Sequence, residues 1–208
     1  MASSWEKLVE TNVLSSTNAN LDTGTFTPKK HLKVVFHGFN QSADSDVMMR
    51  VGTGGTIDDD PNYSWRNSRN DDDTDETNGS EEELQIVGAS FNTTNATNWG
   101  EITISNIIGQ EKLFISHTGQ VLAGVNNAPD RVELVGKWAN ADDQIDNIRI
   151  FLSQNSAVYA VGASITVYGA DDQGSTPFYP NISNGAIFEE SDTGKHYMFD
   201  GSQTWNEM

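Results

Sequence analysis

The sequence has no cysteine among its 208 residues. That excludes disulfide staples, thiolate metal sites and a cysteine nucleophile, so the chain must be held by core burial, by ions or by assembly. It also lacks any apolar run of about eighteen residues, the length a helix needs to cross a bilayer. Basic residues are scarce, with 12 Lys and Arg against 30 Asp and Glu and a net charge of −18. Nucleic-acid binding needs clustered cations to displace counterions, and anionic membranes repel such a chain, so neither is expected as a partner. An acidic surface favours solubility before any assembly. The opening MASSWEKLVE has one basic residue and no apolar stretch, so it does not read as a secretory leader and the expected place of synthesis is a cytoplasm.

What is present is alternation. HLKVVFHGF (His31–Phe39), ELQIVGASF (Glu83–Phe91), EITISNII (Glu101–Ile108), EKLFISHT (Glu111–Thr118), RVELVGKWA (Arg131–Ala139), QIDNIRIFLS (Gln144–Ser153) and VYAVGASITVYGA (Val158–Ala170) each have a period of two with β-branched or aromatic residues, the strand signature. The short GQ between the third and fourth marks a hairpin. Inward positions are Leu32, Val34, Phe36, Ile102, Ile104, Ile107, Val132 and Leu134. SWEKLVETNVL (Ser4–Leu14) fits a helix capped by Ser4, but Val9, Thr11 and Val13 favour a strand. DVMMRVG (Asp46–Gly52) and NYSWR (Asn62–Arg66) are weaker strand signals. The pattern predicts an all-β chain whose body, residues 1–170, is a jelly-roll-like antiparallel β-sandwich, with an eight-stranded up-and-down barrel as the competitor.

Between these strands lies TIDDDPNYSWRNSRNDDDTDETNGSEEE (Thr56–Glu83), with eleven acids against Arg66 and Arg69. It reads first as a long solvated loop at one end of the sandwich. Its acids also make it a candidate Ca²⁺ site through Asp58, Asp59, Asp60, Asp71 and Asp73, although no twelve-residue EF-hand spacing is present. A third reading is a loop that meets a basic partner.

No catalytic pattern is found: there is no G-x-S-x-G, no H-E-x-x-H and no P-loop. His31 and His37 share strand parity but stand about 20 Å apart at the usual rise, too far for one metal. Glu189 and Glu190 are adjacent, face opposite sides and cannot flank one glycosidic bond. The chain is therefore expected not to be an enzyme and to need no cofactor. Sugar binding is more credible than sugar cleavage. Trp65, near Asn62, Arg66 and Asn67, and Trp99, near Asn95 and Asn98, are candidate glycan platforms, each with the alternative of a packing anchor. Five N-x-S/T sequons, at Asn62, Asn78, Asn92, Asn95 and Asn181, follow from the composition.

Residues 171–184, DDQGSTPFYPNISN after Ala170, contain Pro177 and Pro180 and read as an extended linker. Residues 185–208 read as a short β-meander with turns at SDTGK and DGSQ. Tyr197 and Phe199 fall on one face, His196 and Met198 on the other. Three strands this short are marginal in water unless a face is covered. Phe188, Tyr197, Phe199 and Trp205, with Phe178 and Tyr179 of the linker, are therefore the expected docking residues.

The ending ISNGAIFEESDTGKHYMFDGSQTWNEM resembles a short module, G-x-x-F-E-E-x-D-T-x-K-x-Y-x-x-x-G-x-x-W, of virion proteins of tailed bacteriophages. Gly185, Phe188, Glu189, Glu190, Asp192, Thr193, Lys195, Tyr197, Gly201 and Trp205 hold its places, with one extra residue before the tryptophan. The stretch from Gln110 to Phe151, with GASITVYGADD, is similar to a β-domain of phages from marine metagenomes. The resemblance implies a non-enzymatic virion protein: a head decoration, head fibre or tail appendage made in the host cytoplasm. By analogy it implies a homotrimer that packs against itself and other virion proteins. A host-receptor tip that binds a surface glycan is the alternative.

Overall fold

The structure, a computed structural model, describes residues 4–13, 18–38, 41–43, 45–69, 75–87, 97–121, 125–126, 128–154, 157–172, 184–201 and 204–208. All regular elements among them are strands or turns, and none is a helix. The chain divides into two compact units, Ala2–Asp172 and Gln173–Met208.

In the first unit an eight-stranded sheet is antiparallel throughout. Its spatial order is β1 (Glu6–Asn12), β13 (Ser164–Ala170), β3 (His31–His37), β9 (Thr97–Ser105), β10 (Lys112–Val121), β11 (Asp130–Trp138), β6 (Tyr63–Arg69) and β7 (Glu76–Glu81). A second sheet orders β2 (Asn20–Asp22), β12 (Asn147–Leu152), β4 (Val47–Thr53) and β5 (Thr56–Ile57), with β8 (Leu84–Val87) also on β4. The core fills between their inner faces. Leu32, Val34, Phe36, Ile102, Ile104, Phe114 and Trp138 come from the large sheet, and Val47, Met49, Val51, Leu84, Ile86 and Ile150 from the small one. This is an antiparallel β-sandwich. An order of eight strands over five does not by itself spell the two Greek keys of a jelly roll, so agreement with the sequence reading is at the level of the sandwich.

Alternation explains most of the core. The β3 burial pattern places Leu32, Val34 and Phe36 inward, and β11 does the same for Val132, Leu134 and Trp138. The N-terminal segment is the strand β1, because its β-branched residues suit a pleated edge better than a helix. Ile107 departs from the pattern. It is only partly buried, and Asn106 takes the inward place beside it. The Asn106 side chain donates to the carbonyls of Lys29 and Ile145 and accepts from the Ile145 N–H, which offsets its desolvation.

The stretch 56–83 is not one loop. It holds β5, β6 and β7, and β6 runs inside the large sheet between β11 and β7. YSWRNSR alternates Tyr63, Trp65 and Asn67 inward, a pattern that surrounding acids hide in composition but not in parity. The Tyr63 hydroxyl accepts from the Val51 N–H and lies 3.0 Å from the carbonyls of both Val51 and Asp58; burial pushes its phenol well up.

Both outer edges of the large sheet are blunted. β1 carries Glu6, Lys7 and Glu10 and a register shift between Lys7 and Val9. β7 is the polar ETNGSE, with a shift opposite Tyr63 and Ser64. Charge and bulges of this kind discourage pairing with a further strand. Where β13 ends, Asp171 accepts the Lys30 N–H and pairs with Lys29, while Asp172 pairs with Lys30 and His31. These bonds hold residues 171 and 172 to the body, two residues beyond the boundary expected at Ala170. Of the linker, only Asp171, Asp172 and Asn184 are among the described residues.

Candidate docking site

The second unit contains a three-stranded antiparallel sheet: β14 (Ile187–Glu190), β15 (Lys195–Phe199) and β16 (Trp205–Glu207). Its first turn, Ser191–Gly194, works as the sequence suggests. Gly194 has a φ of 69°, its N–H donates to the Glu190 carbonyl, and the Thr193 hydroxyl donates to the Glu190 carboxylate at 2.6 Å. In the second turn the Thr204 N–H bonds the Asp200 carboxylate and the Asp200 N–H the Thr204 carbonyl. Gly201 sits there at a φ of 80°, a conformation other residues adopt at a cost.

Register decides which side chains meet. Phe188 lies opposite Tyr197, and Phe199 opposite Trp205. Strand parity therefore gathers Phe188, Glu190, Lys195, Tyr197, Phe199, Trp205 and Glu207 on one face. Ring centroids are 6.4 Å apart for Phe188 and Tyr197, 6.0 Å for Phe188 and Trp205, and 5.2 Å for Phe199 and Trp205. Phe199 is 3% exposed, yet Phe188 keeps 54% of its surface in solvent. An open hollow of about 390 Å³ is lined by Phe188, Glu190, Tyr197 and Trp205. The sequence reading put these four aromatics together, and the structure places them on one face. Phe178 and Tyr179 lie outside the described residues.

The opposite face was not singled out from the sequence. There Ile187 and Met198 are cross-strand partners, 61% and 40% exposed. The parity that pairs Phe188 with Tyr197 also pairs their neighbours, so the signal was available. A second overlooked surface lies on the outer side of the large sheet. Leu113, Ile115 and Val135 are exposed there beside Arg66, along two shallow hollows of about 240 and 270 Å³.

The other sequence candidates separate. Trp65 is only 8% exposed and belongs to the core, so it presents no platform to a sugar. Its inward parity on β6 is the reason. Trp99 is 51% exposed on β9, but Asn98 beside it is buried and Asn95 lies outside the described residues. Asp58 is committed to the fold. Its carboxylate accepts the Trp138 indole N–H at 2.6 Å, the Asn62 amide at 3.0 Å and the Asp60 N–H at 2.9 Å. Burial works to raise its pKa, but these donors outweigh it and the net shift is downward. Asp59 and Asp60 are exposed, and Asp71 and Asp73 lie outside the described residues. Among the described residues no three His, Asp or Glu side chains converge as a metal set would.

His37 is engaged with the Ser164 hydroxyl at 2.7 Å, and His31 with Asp172. Lys112, at the inward start of β10, is fully buried and donates to the carbonyls of Ile107 and Gln110. Burial lowers its pKa, and the charges of Asp142 and Asp143 oppose that shift. It fastens the β9–β10 connection. No family model, curated protein or solved structure matches the chain.

Proposed function

We propose that this chain is a non-enzymatic structural protein of a phage particle, acting through subunit packing, with the C-terminal meander as its docking element. The observation that carries this reading is the aromatic face of Phe188, Tyr197 and Trp205, left partly open on a sheet of three short strands. Covering a half-exposed phenylalanine contributes about 1–2 kcal/mol, and several such rings together give a worthwhile interface. The module-like spacing from Gly185 to Trp205 supports a virion setting, whether as a head decoration, head fibre or tail appendage. The blunted edges of β1 and β7 favour assembly through faces and terminal segments over sheet extension. A jelly-roll strand connection and a homotrimer complete the proposal by analogy.

The test is a chain ending at Asp172, which keeps the clamp to Lys29, Lys30 and His31. It is expected to fold with the near-ultraviolet signature of the sandwich and to be absent from purified particles. A truncated body that unfolds would make the terminal unit part of the core and overturn this division.

The second reading, a receptor-binding tip, has Trp99 as its specific support, since half of that ring is open to solvent. Glycan-array binding that is lost in Trp99→Ala, with incorporation unchanged, favours it.

A further inference from the structure

We propose that the hollow of the terminal meander receives a cationic side chain, arginine or lysine, carried by a segment of a different protein. This rests on the docking reading above and names the chemistry of the partner.

Among the described residues, three aromatic rings and one carboxylate line the hollow. Phe188 is inclined 34° to Tyr197 and 67° to Trp205, so the rings form walls rather than one flat plate. A cation within about 6 Å of such ring centroids is attracted by their negative faces. Glu190 is the only charged residue in the lining among the described residues. Its Oε2 is fixed by the Thr193 hydroxyl, and its other oxygen has no partner among the described residues. The nearest cation on that face is Lys195, opposite Glu190 in register, but its ammonium is bonded to Glu207 at 3.0 Å. The hollow is thus electronegative, and no described residue supplies it with a cation.

A second copy of this chain is a poor source for one. Of its 12 Lys and Arg, ten are ion-paired to carboxylates and Lys112 is buried on backbone carbonyls. Arg66, the remaining one, donates to Thr77 and has no carboxylate partner among the described residues. The net charge of −18 also makes copies repel one another and attracts a basic partner. A sugar fits less well. Its hydroxyls need several directed polar groups beside a flat ring, and here a carboxylate and one phenol face inclined rings.

The experiment is an NMR titration of the full chain labelled at the tryptophan indole nitrogens, with Trp205 assigned through Trp205→Phe. The probe is acetyl-Gly-Arg-Gly-amide, compared with its lysine and citrulline counterparts. The arginine and lysine peptides are expected to shift the Trp205 signal saturably. Binding should weaken by about fivefold or more in Glu190→Gln, and the neutral citrulline peptide should have little effect. An equal response to citrulline, or no effect of Glu190→Gln, overturns the cationic occupant and leaves the apolar docking reading standing. A shift caused by methyl glycosides and not by the arginine peptide overturns it in favour of a sugar. Self-association in sedimentation that Phe188→Ser abolishes overturns it in favour of a second copy. The docking reading fails separately, if Phe188→Ser together with Trp205→Ser leaves particle incorporation untouched.

Discussion

Phe36 and Phe188 both lie on strands with alternating side chains, yet Phe36 is sealed between two sheets and Phe188 remains half in solvent. The body closes an eight-stranded sheet over a second sheet, so each inward residue meets a partner layer. The terminal meander has one layer of three strands and covers only part of its aromatic face. Strand propensity is equally good in both regions; what differs is the presence of a second layer. Burial, not local conformation, separates a self-sufficient unit from one that presents a surface.

The sharpest way to break this comparison is to shave a ring from each side. Phe36→Ala should destabilise the body by about 3–5 kcal/mol, since a fully packed ring is replaced by a cavity. Phe188→Ala should change body stability by less than about 0.5 kcal/mol, because its ring is largely solvated already. Denaturant unfolding followed by near-ultraviolet dichroism reads both. A comparable loss in the two variants would mean that the meander is part of the same cooperative core.

A smaller effect is expected at Asp58. Asp58→Ala strands the indole N–H of buried Trp138 and should cost about 1–3 kcal/mol in the same assay, whereas loss of a merely solvated loop acid would cost almost nothing. The acidic composition of 56–83 suggested solvent or metal, and the alternation of Tyr63, Trp65 and Asn67, though present in the sequence, was read only as a weak strand signal over Asn62–Arg66. That signal was legible and was outweighed by the acids around it. The fate of Asp58 was not legible, because its partner Trp138 is eighty residues away in sequence.

The clamp at the end of the body gives a pH-dependent effect. The hydrogen bond from His31, then that from Lys30, holds the Asp172 carboxyl down at about 2, and the Lys30 N–H and Lys29 likewise lower Asp171. Both folded values lie below the ordinary carboxylate value of 3.8. Their stabilising contribution is therefore complete above that value and is lost as pH falls through the folded one, near pH 2 for Asp172. Carboxyl-carbon NMR titration should show Asp172 still ionised at a pH where exposed acids are protonated. An ordinary titration would show that the clamp is not formed in solution. The smallest expected effect is that of Ca²⁺: melting curves with the ion and with chelator should coincide, and a raised midpoint would locate a site among the acids of 56–83.

The sequence by itself determined the longer alternating strands and the faces they present, but not the short or polar strands β2, β5 and β7. A period of two fixes which residues are inward once one of them is, so Leu32, Val34, Phe36, Val132 and Leu134 were readable without coordinates. The same rule put Tyr197 and Phe199 on one face, and cross-strand register then brought Phe188 and Trp205 to it. Tertiary structure alone decided which strands became neighbours, that β6 runs inside the large sheet, that Trp65 is sealed while Trp99 is open, and that Glu190 joins three aromatic rings at the hollow. These outcomes depend on contacts between residues far apart in the chain. Local periodicity carries side-chain direction but no information about which distant strand arrives to cover it.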